Sequence, residues 1–266
     1  MPNSFNTRLK DVCEKKQSRL CIGLDIDPEK LPKSAGNTIF GWEEFTRGIV
    51  DATIDLCPVY KLNMAFYECY GAQGFQWMEN VVHHIGNRAI TIADGKRGDI
   101  GNTARKYADS IFGYFGFDAV TVSPYMGRDS ILPFLGNESK GVFILCLTSN
   151  SSAADFQSLK SDGNTLYQSV AETAMELNKN DNVGLVIGAT KVEQMDEISE
   201  ISNGLSWLVP GVGAQGGDLE TSLRKSNTSG TGIINISRGV LYAGDGSISA
   251  IRTAAESYTE KMQELL

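Results

Sequence analysis

The chain has 266 residues, a formal net charge of −8 and a sequence pI near 4.9. Its acidic balance argues against general nucleic-acid binding, and no apolar run approaches the roughly 18 residues that a membrane span needs. Met1–Gln17 is polar and lacks the apolar core of a signal peptide. We therefore expect a cytoplasmic protein without nucleic-acid or membrane partners. An anionic small-molecule substrate is compatible with this composition, because local cations matter more than the total charge.

The cysteines and histidines argue against a disulfide framework and against a zinc site. The five cysteines form no C-x-x-C pair, and Cys21, Cys57 and Cys146 lie within or beside apolar stretches. We interpret these three as reduced core residues. His83 and His84 are adjacent inside a predicted helix, which does not place both rings on one helix face. We expect no bound metal.

Short apolar segments alternate with helix-like segments along the chain. An N-terminal helix is predicted at about Ser4–Lys15. Eight strands are predicted after it, at Leu20–Ile26, Val59–Ala65, Ala89–Ala93, Ala119–Ser123, Gly141–Leu147, Val183–Gly188, Trp207–Gly211 and Gly232–Ile236. Further helices are predicted at Trp42–Leu56, Gly74–Ile85, Thr103–Phe115, Asn164–Asn178, Lys191–Ile201, Leu219–Lys225 and Ser247–Leu265. This alternation predicts one α/β domain over residues 1–266, a (β/α)8 TIM barrel with an extra N-terminal helix.

The third predicted strand is followed by two carboxylates that bracket one ammonium. Asp94 and Lys96 emerge on the same side of the strand, with Gly95 adding no bulk between them, and Asp99 follows where a helix can begin. Such an arrangement is costly unless the charges have a function. The alternative is a solvated charged turn.

Arg97–Asp99 also spells RGD, known from cell-adhesion ligands, but nothing else in the chain looks extracellular, so we interpret this match as accidental.

Polar residues follow most of the predicted strands, at the end where TIM barrels place their active sites. In chain order these are Asp25 and Asp27, Lys61 and Asn63, Asp94 and Lys96, Ser123, Thr148–Asn150, Pro210–Asp218 and Asn235–Gly239. Several have a structural alternative. Asp25 and Asp27 could cap or turn the chain, and Ser149 could cap a helix. Lys61 could form a structural ion pair with Asp25 or Asp94.

The loops after the seventh and eighth strands predict a phosphate site. The seventh loop is rich in glycine, so its backbone N–H groups can face an anion, and Gln215 adds an amide. Arg238 in the eighth loop adds a bidentate donor. These two loops often hold a phosphate in barrels of this kind. The loop after the fifth strand, Ser149–Gly163, is the longest, and we predict that it is a mobile flap.

The segment D-G-K-R-G-D-I-G-N-T, from Asp94 to Thr103, resembles the signature of the orotidine 5′-monophosphate decarboxylase family, in particular its longer bacterial branch. Supporting motifs follow in the family's order: C-I-G-L-D at Cys21–Asp25, Y-K-L-N-M-A-F-Y-E at Tyr60–Glu68, V-S-P-Y-M-G at Val122–Gly127, L-T-S-N at Leu147–Asn150, P-G-V-G-A-Q-G-G-D at Pro210–Asp218 and N-I-S-R-G at Asn235–Gly239. One departure lies in the fifth loop, where Ser151 and Ser152 stand in place of the family's usual Pro-Gly.

The resemblance implies a homodimer of barrels that acts on a nucleotide without a cofactor, with active sites shared across the interface. It implies Lys96 as the proton donor, with Asp94, Asp99 and Lys61 as the other catalytic charges. It implies substrate contacts from Asp25, Ile100, Thr103, Ser149, Pro210, Gln215, Ser237 and Arg238. It further implies that Asp25 and Lys61 bind ribose hydroxyls, that Ser149 recognises the pyrimidine, and that Gln215 and Arg238 hold the phosphate. Asp99, Ile100 and Thr103 are implied to reach into the partner's site.

Two other functions stay open at this point. The first is a magnesium-dependent sugar-phosphate decarboxylase or synthase on the same barrel. Lys61 disfavours it, because that group usually presents an acidic residue there and a cation repels a metal ion. The second is a non-catalytic barrel that binds nucleotides, for which the charges around Lys96 would be superfluous.

Overall fold

The predicted strands form a closed barrel. The computed structural model describes residues 4–161, 163–213, 216–228 and 230–266. Its strands are β1 Leu20–Gly23, β2 Val59–Asn63, β3 Ile90–Arg97, β4 Ala119–Val122, β5 Gly141–Leu147, β6 Lys160–Ser161, β7 Asn164–Thr165, β8 Val183–Ile187, β9 Ser206–Pro210 and β10 Gly232–Ile236. All except β6 and β7 are parallel strands of the barrel, in the order β1-β10-β9-β8-β5-β4-β3-β2, and β1 pairs with β2 to close the ring. The (β/α)8 TIM barrel is therefore confirmed.

Helices cover the outside of the barrel. Their bounds are α1 Phe5–Lys15, α2 Ile39–Thr53, α3 Ala65–Glu68, α4 Gly71–Ile85, α5 Gly101–Ala108, α6 Leu166–Leu177, α7 Val192–Ile201, α8 Leu219–Ser226, α9 Arg238–Leu241 and α10 Ile248–Leu265. The predicted helix Thr103–Phe115 is divided, since α5 is continued by a π-helical turn over Asp109–Tyr114. The short helices α3 and α9 were not predicted, because four residues are too few to show a helical period. None of the helices in the described part of the chain is long and apolar enough to cross a membrane.

The extra N-terminal helix α1 closes the amino-terminal end of the barrel. Ser4 caps it by accepting a hydrogen bond from the Thr7 N–H. Phe5 and Leu9 are buried against the inward-facing residues at the start of the strands, and the Phe5 ring meets Phe143 edge-on at 5.9 Å. Because Phe5 fills the space beside Gly141, a Cβ atom there would approach the Phe5 ring to 2.3 Å. We call this layer the barrel floor: α1 together with the inward-facing residues that it covers.

The larger apolar core lies between the outward faces of the strands and the helices. Leu20, Ile22 and Leu62 of the strands and Trp77 and Val81 of α4 belong to this core. The predicted burial of Cys21, Cys57 and Cys146 is observed, and Cys13 is buried as well; all four are free. Burial raises the pKa of Cys13 and of Cys57 to about 12, so neither thiol ionises near neutral pH.

The loop after β5, which was predicted to be a mobile flap, contains local secondary structure. Asn150 precedes a 3-10 turn at Ser151–Asp155, and the short strands β6 (Lys160–Ser161) and β7 (Asn164–Thr165) pair as an antiparallel hairpin. The Thr148 backbone N–H donates to Gln157 Oε1 at 2.9 Å, which ties the loop to the end of β5. The two serines that replace the family's Pro-Gly thus begin a helical turn.

Candidate active site

A cavity of about 410 Å³ opens at the carboxyl ends of the strands, opposite the barrel floor. The sequence-predicted residues that line it are Asp25, Lys61, Asp94, Lys96, Ser149, Pro210, Ser237 and Arg238. They come from strands or loops that are far apart in the chain. The closed parallel barrel brings them together, because all its strands end at the same rim.

Asp94 is the centre of the charge network. Its Oδ2 accepts a hydrogen bond from Lys61 Nζ at 3.0 Å, and its Oδ1 accepts one from Lys96 Nζ at 2.7 Å. Lys61 Nζ also lies 3.6 Å from Asp25 Oδ1. The ion pair weighed as an alternative for Lys61 is thus present, with both aspartates. The Lys61 side chain is only 5% exposed, whereas that of Lys96 is 49% exposed at the cavity.

The network keeps Asp94 and Lys61 charged. Burial alone would raise the pKa of Asp94, but the ammonium groups of Lys61 and Lys96 hold this pKa well below its ordinary value. Burial alone would lower the pKa of Lys61, but the carboxylates of Asp25 and Asp94 raise it above its ordinary value. At neutral pH the cavity therefore presents an ionised Asp94 between two ammonium groups.

A bulge in β3 places Asp94 and Lys96 in this network. Ala93 pairs with Val120 and Arg97 pairs with Val122, so three residues of β3 lie opposite one residue of β4. Within the bulge, Lys96 has a φ of 44°, in the left-handed region. A side chain other than glycine pays about 1 kcal/mol or more to adopt that conformation. The sequence predicted the shared direction of the two side chains from strand alternation, but the bulge produces it.

Thr121 is the residue of β4 that faces the bulge. Its hydroxyl donates to Asp94 Oδ1 at 2.9 Å and accepts from the Lys96 backbone N–H at 2.9 Å. The residue is 1% exposed and lines the cavity. Sequence reasoning missed it, although a hydroxyl within the buried run Ala119–Val122 was an available signal.

Asp25 is held in place by polar groups from several elements. Ser237 Oγ donates to Asp25 Oδ2 at 2.8 Å. The Tyr242 hydroxyl donates to the Asp25 carbonyl at 3.1 Å and accepts from the Asp27 N–H at 2.9 Å. Burial raises the pKa of Tyr242 to about 12, so this hydroxyl stays protonated. Tyr67 donates to the Leu24 carbonyl at 2.8 Å. Neither tyrosine was singled out from the sequence.

Asp27 has the capping role that was weighed for it. Its Oδ1 accepts from the Glu29 N–H at 3.2 Å at the start of a 3-10 turn, and its Oδ2 pairs with Lys30 at 2.6 Å. Ser149 lies in the cavity wall, and Asn150 is the residue that precedes the next 3-10 turn. The capping alternative thus holds for Asp27, which also lines the cavity.

The glycine-rich loop after β9 turns back on itself. The Gly213 N–H donates to the Gly217 carbonyl at 3.0 Å, and the Gly217 N–H donates to the Gly211 carbonyl at 3.2 Å. Gly211 has a φ of 99°, which a residue with a side chain rarely adopts, and it lines the cavity next to Val212. Gln215, the predicted phosphate ligand of this loop, lies outside the described residues.

Three of the predicted residues do not line the cavity of their own chain. Asp99 accepts a hydrogen bond from the Ile100 N–H at 2.8 Å, and no ion pair joins it to Lys96 among residues 4–161. Ile100 is 50% exposed, and Thr103 is also exposed at the start of α5. The three residues follow the carboxyl end of β3, and Asp99 is half-buried.

The described residues include no group of three or more His, Cys, Asp or Glu side chains placed to hold a metal ion. Asp25 and Asp94 both line the cavity, but Lys61 Nζ lies within 3.6 Å of both carboxylates. The position that a divalent cation would need is thus taken by an ammonium group.

The architecture defines a (β/α)8 barrel with a charged site at the carboxyl ends of its strands. A family model described as Orotidine 5′-phosphate decarboxylase / HUMPS family matches residues 18–254. The chain therefore belongs to the orotidine 5′-phosphate decarboxylase / HUMPS family, as its motifs predicted. The matched range leaves α1 outside.

Individual relatives are similar to this chain over nearly its whole length. An orotidine 5′-phosphate decarboxylase of Dehalococcoides mccartyi is 43% identical over 268 residues, which cover 98% of this chain and 97% of the relative. One of Christiangramia forsetii is 45% identical over 240 residues, with 88% and 87% covered. The structure of the OMP decarboxylase of Leishmania donovani superposes with a TM-score of 0.86 at 35% identity, with 98% of each chain covered.

Proposed function

We propose that this chain decarboxylates orotidine 5′-monophosphate to uridine 5′-monophosphate, the last step of de novo pyrimidine nucleotide synthesis, without a cofactor. The observation that carries the proposal is the Lys96 ammonium, hydrogen-bonded to Asp94 at 2.7 Å and exposed to the barrel cavity, in a chain of this family. A charged donor fixed at the mouth of a barrel suits a reaction that forms a carbanion.

The chemistry follows from the charge on Lys96. The bond between C6 and the carboxylate carbon breaks, carbon dioxide leaves, and the electron pair remains on C6. The Lys96 ammonium stabilises this negative charge and then transfers a proton to C6. Asp94 keeps Lys96 beside the reacting carbon and lies close to the substrate carboxylate. Their repulsion disappears when neutral carbon dioxide forms.

The remaining predicted residues bind the nucleotide. In this proposal Asp25 and Lys61 hold the ribose hydroxyls and Ser149 contacts the pyrimidine. Gln215 and Arg238 hold the phosphate, with Pro210 and Ser237 completing the wall. Because the phosphate is remote from the bond that breaks, its binding energy can drive closure of the loops after β5 and β9 and so raise turnover.

The proposed enzyme is a cytoplasmic homodimer. Asp99, Ile100 and Thr103 of each subunit would reach into the other subunit's site. Their position supports this: they flank the barrel mouth and are absent from the wall of their own cavity, and Ile100 exposes half of an apolar side chain. Four buried free thiols fit a reducing compartment.

The direct test is the ultraviolet absorbance of orotidine 5′-monophosphate incubated with the purified protein and excess EDTA. We expect fast loss of the orotate band and formation of uridine 5′-monophosphate. No change in the absorbance would contradict the proposal and would direct the search to sugar phosphates assayed with Mg²⁺. Tight binding of the nucleotide without turnover would support the non-catalytic barrel.

A further inference from the structure

We propose that Thr121 is a positioning residue, which fixes the proton donor Lys96 on Asp94 by pinning the β3 bulge. This inference rests on the proposed function, because it assigns Thr121 a part in the reaction of Lys96. Thr121 is the one residue of β4 between Val120 and Val122, whose partners in β3 are Ala93 and Arg97. It therefore faces all three bulge residues.

The hydroxyl of Thr121 has one proton to donate, and the surrounding groups determine its direction. The Lys96 backbone N–H points at Oγ1, with a distance of 2.9 Å between N and Oγ1, so Oγ1 is the acceptor in that bond. The Thr121 proton then goes to Asp94 Oδ1, also 2.9 Å away, because an ionised carboxylate only accepts. One buried hydroxyl thus joins the carboxylate of Asp94 to the main chain of Lys96.

The two hydrogen bonds of Thr121 determine the direction of the Lys96 side chain. Lys96 holds a left-handed φ of 44°, and its N–H has an acceptor because Thr121 supplies one. Asp94 Oδ1 accepts from both Thr121 Oγ1 and Lys96 Nζ, so Asp94 holds the side chain of Lys96 while Thr121 holds its main chain and Asp94 together. Without the hydroxyl, the backbone N–H of Lys96 loses its acceptor. Asp94, which pairs with the Lys96 ammonium, loses the hydrogen bond from Thr121 that helps to fix it.

The neighbouring strand offers a matched control. Thr91 in β3 is also 1% exposed, and it makes the same pair of bonds at the opposite end of the barrel. Its hydroxyl donates to Asp118 Oδ2 at 3.1 Å and accepts from the Asp118 N–H at 3.1 Å. Thr91→Val therefore removes equivalent bonds without touching the cavity.

The test compares Thr121→Val, Thr121→Ser and Thr91→Val by steady-state kinetics. Because a misplaced catalytic group loses rate rather than binding, we expect Thr121→Val to lower kcat by about tenfold to a hundredfold, with KM changed by less than about threefold. Thr121→Ser keeps the hydroxyl and should restore kcat to within about threefold of wild type. Thr91→Val should keep the wild-type kcat. A Thr121→Val enzyme with wild-type kcat would overturn the proposal, as would a Thr121→Ser enzyme as slow as Thr121→Val.

A second measurement needs no substrate. Hydrogen exchange of the Lys96 amide, followed by NMR, should be faster in Thr121→Val than in wild type and slow again in Thr121→Ser. If Thr121→Val does not fold, Thr121→Ala replaces it with the same expectations. A wild-type protein that fails to decarboxylate would refute the proposed function, and unchanged exchange at Lys96 would refute the pinning itself.

Discussion

Lys96 is the residue on which the proposed chemistry depends most directly. Its side chain is half-exposed, and its one polar side-chain contact among the described residues is with Asp94. Removing the ammonium therefore costs little packing. We expect Lys96→Ala to lower kcat by about a thousandfold or more, which is the range of general acid catalysis, while the thermal midpoint stays close to wild type. Lys261→Ala, an exposed substitution on α10, is the control and should retain full turnover. Turnover within tenfold of wild type in Lys96→Ala would exclude the assigned role.

Asp94 and Lys61 form a buried ion pair. Removing one of the two charges leaves the other charge buried without its partner. Asp94→Asn should lower the free energy of unfolding at pH 7 by about 3 kcal/mol, because Lys61 then keeps only the longer contact with Asp25. Asp51→Asn removes a carboxylate from an exposed pair with His84, so it should cost less than about 1 kcal/mol. Urea denaturation measures both. Equal costs would mean that the buried network adds no stability.

The same ion pair makes the free energy of unfolding depend on pH. The pKa of Asp94 is lower in the folded chain than in the unfolded chain, so its ionisation stabilises the fold fully above about pH 4. This stabilisation is lost as the pH falls below that value toward the folded pKa. The difference in unfolding free energy between wild type and Asp94→Asn should therefore be constant from pH 7 to 5 and shrink below pH 4. A difference that grows on acidification would contradict the assignment.

At the scale of elements, α1 supplies stability without chemistry. Phe5 is 1% exposed and meets Phe143 across the barrel floor. Phe5→Ala should lower the free energy of unfolding by about 3 kcal/mol or more, the usual cost of removing a buried aromatic side chain, and leave kcat unchanged. Lys10→Ala, on the exposed face of the same helix, should change stability by less than about 0.5 kcal/mol. A loss of activity in folded Phe5→Ala would show that floor and site are coupled.

Sequence patterns predicted the elements that repeat and missed those that depend on contacts across the barrel. The alternation of apolar strands and amphipathic helices was sufficient for the barrel. The β3 bulge was not predictable in this way, because it arises from the register between β3 and β4 and not from either strand alone. The same holds for Thr121 and Tyr242, whose partners at the rim are remote in sequence. Asp94 and Lys96 were found because their charges are adjacent in the chain.

At the scale of the whole molecule, the proposed dimer determines whether Asp99 takes part in the reaction. If each site combines Lys96 of one subunit with Asp99 of the other, a mixed dimer of Lys96→Ala and Asp99→Ala chains contains one intact site. Random mixing of equal amounts should therefore restore about a quarter of the wild-type activity, because half of the dimers are mixed and each has one of two sites intact. Activity is measured after unfolding and refolding the two inactive chains together. The same treatment of each variant alone is the control, and no recovery in the mixture would place Asp99 outside the partner's site.

The barrel floor also has a consequence for protein engineering. α1 contributes no residue to the wall of the charged cavity, which lies at the carboxyl ends of the strands. Mutations that are far apart and share no partner have additive effects on stability. Phe5, Leu9, Val12 and Cys13 can therefore be varied together in a library selected for heat tolerance, without the loss of turnover that often accompanies stabilising changes near a reaction centre. Heat tolerance gained in this way would offset the destabilisation caused by later substitutions at the cavity that alter substrate choice.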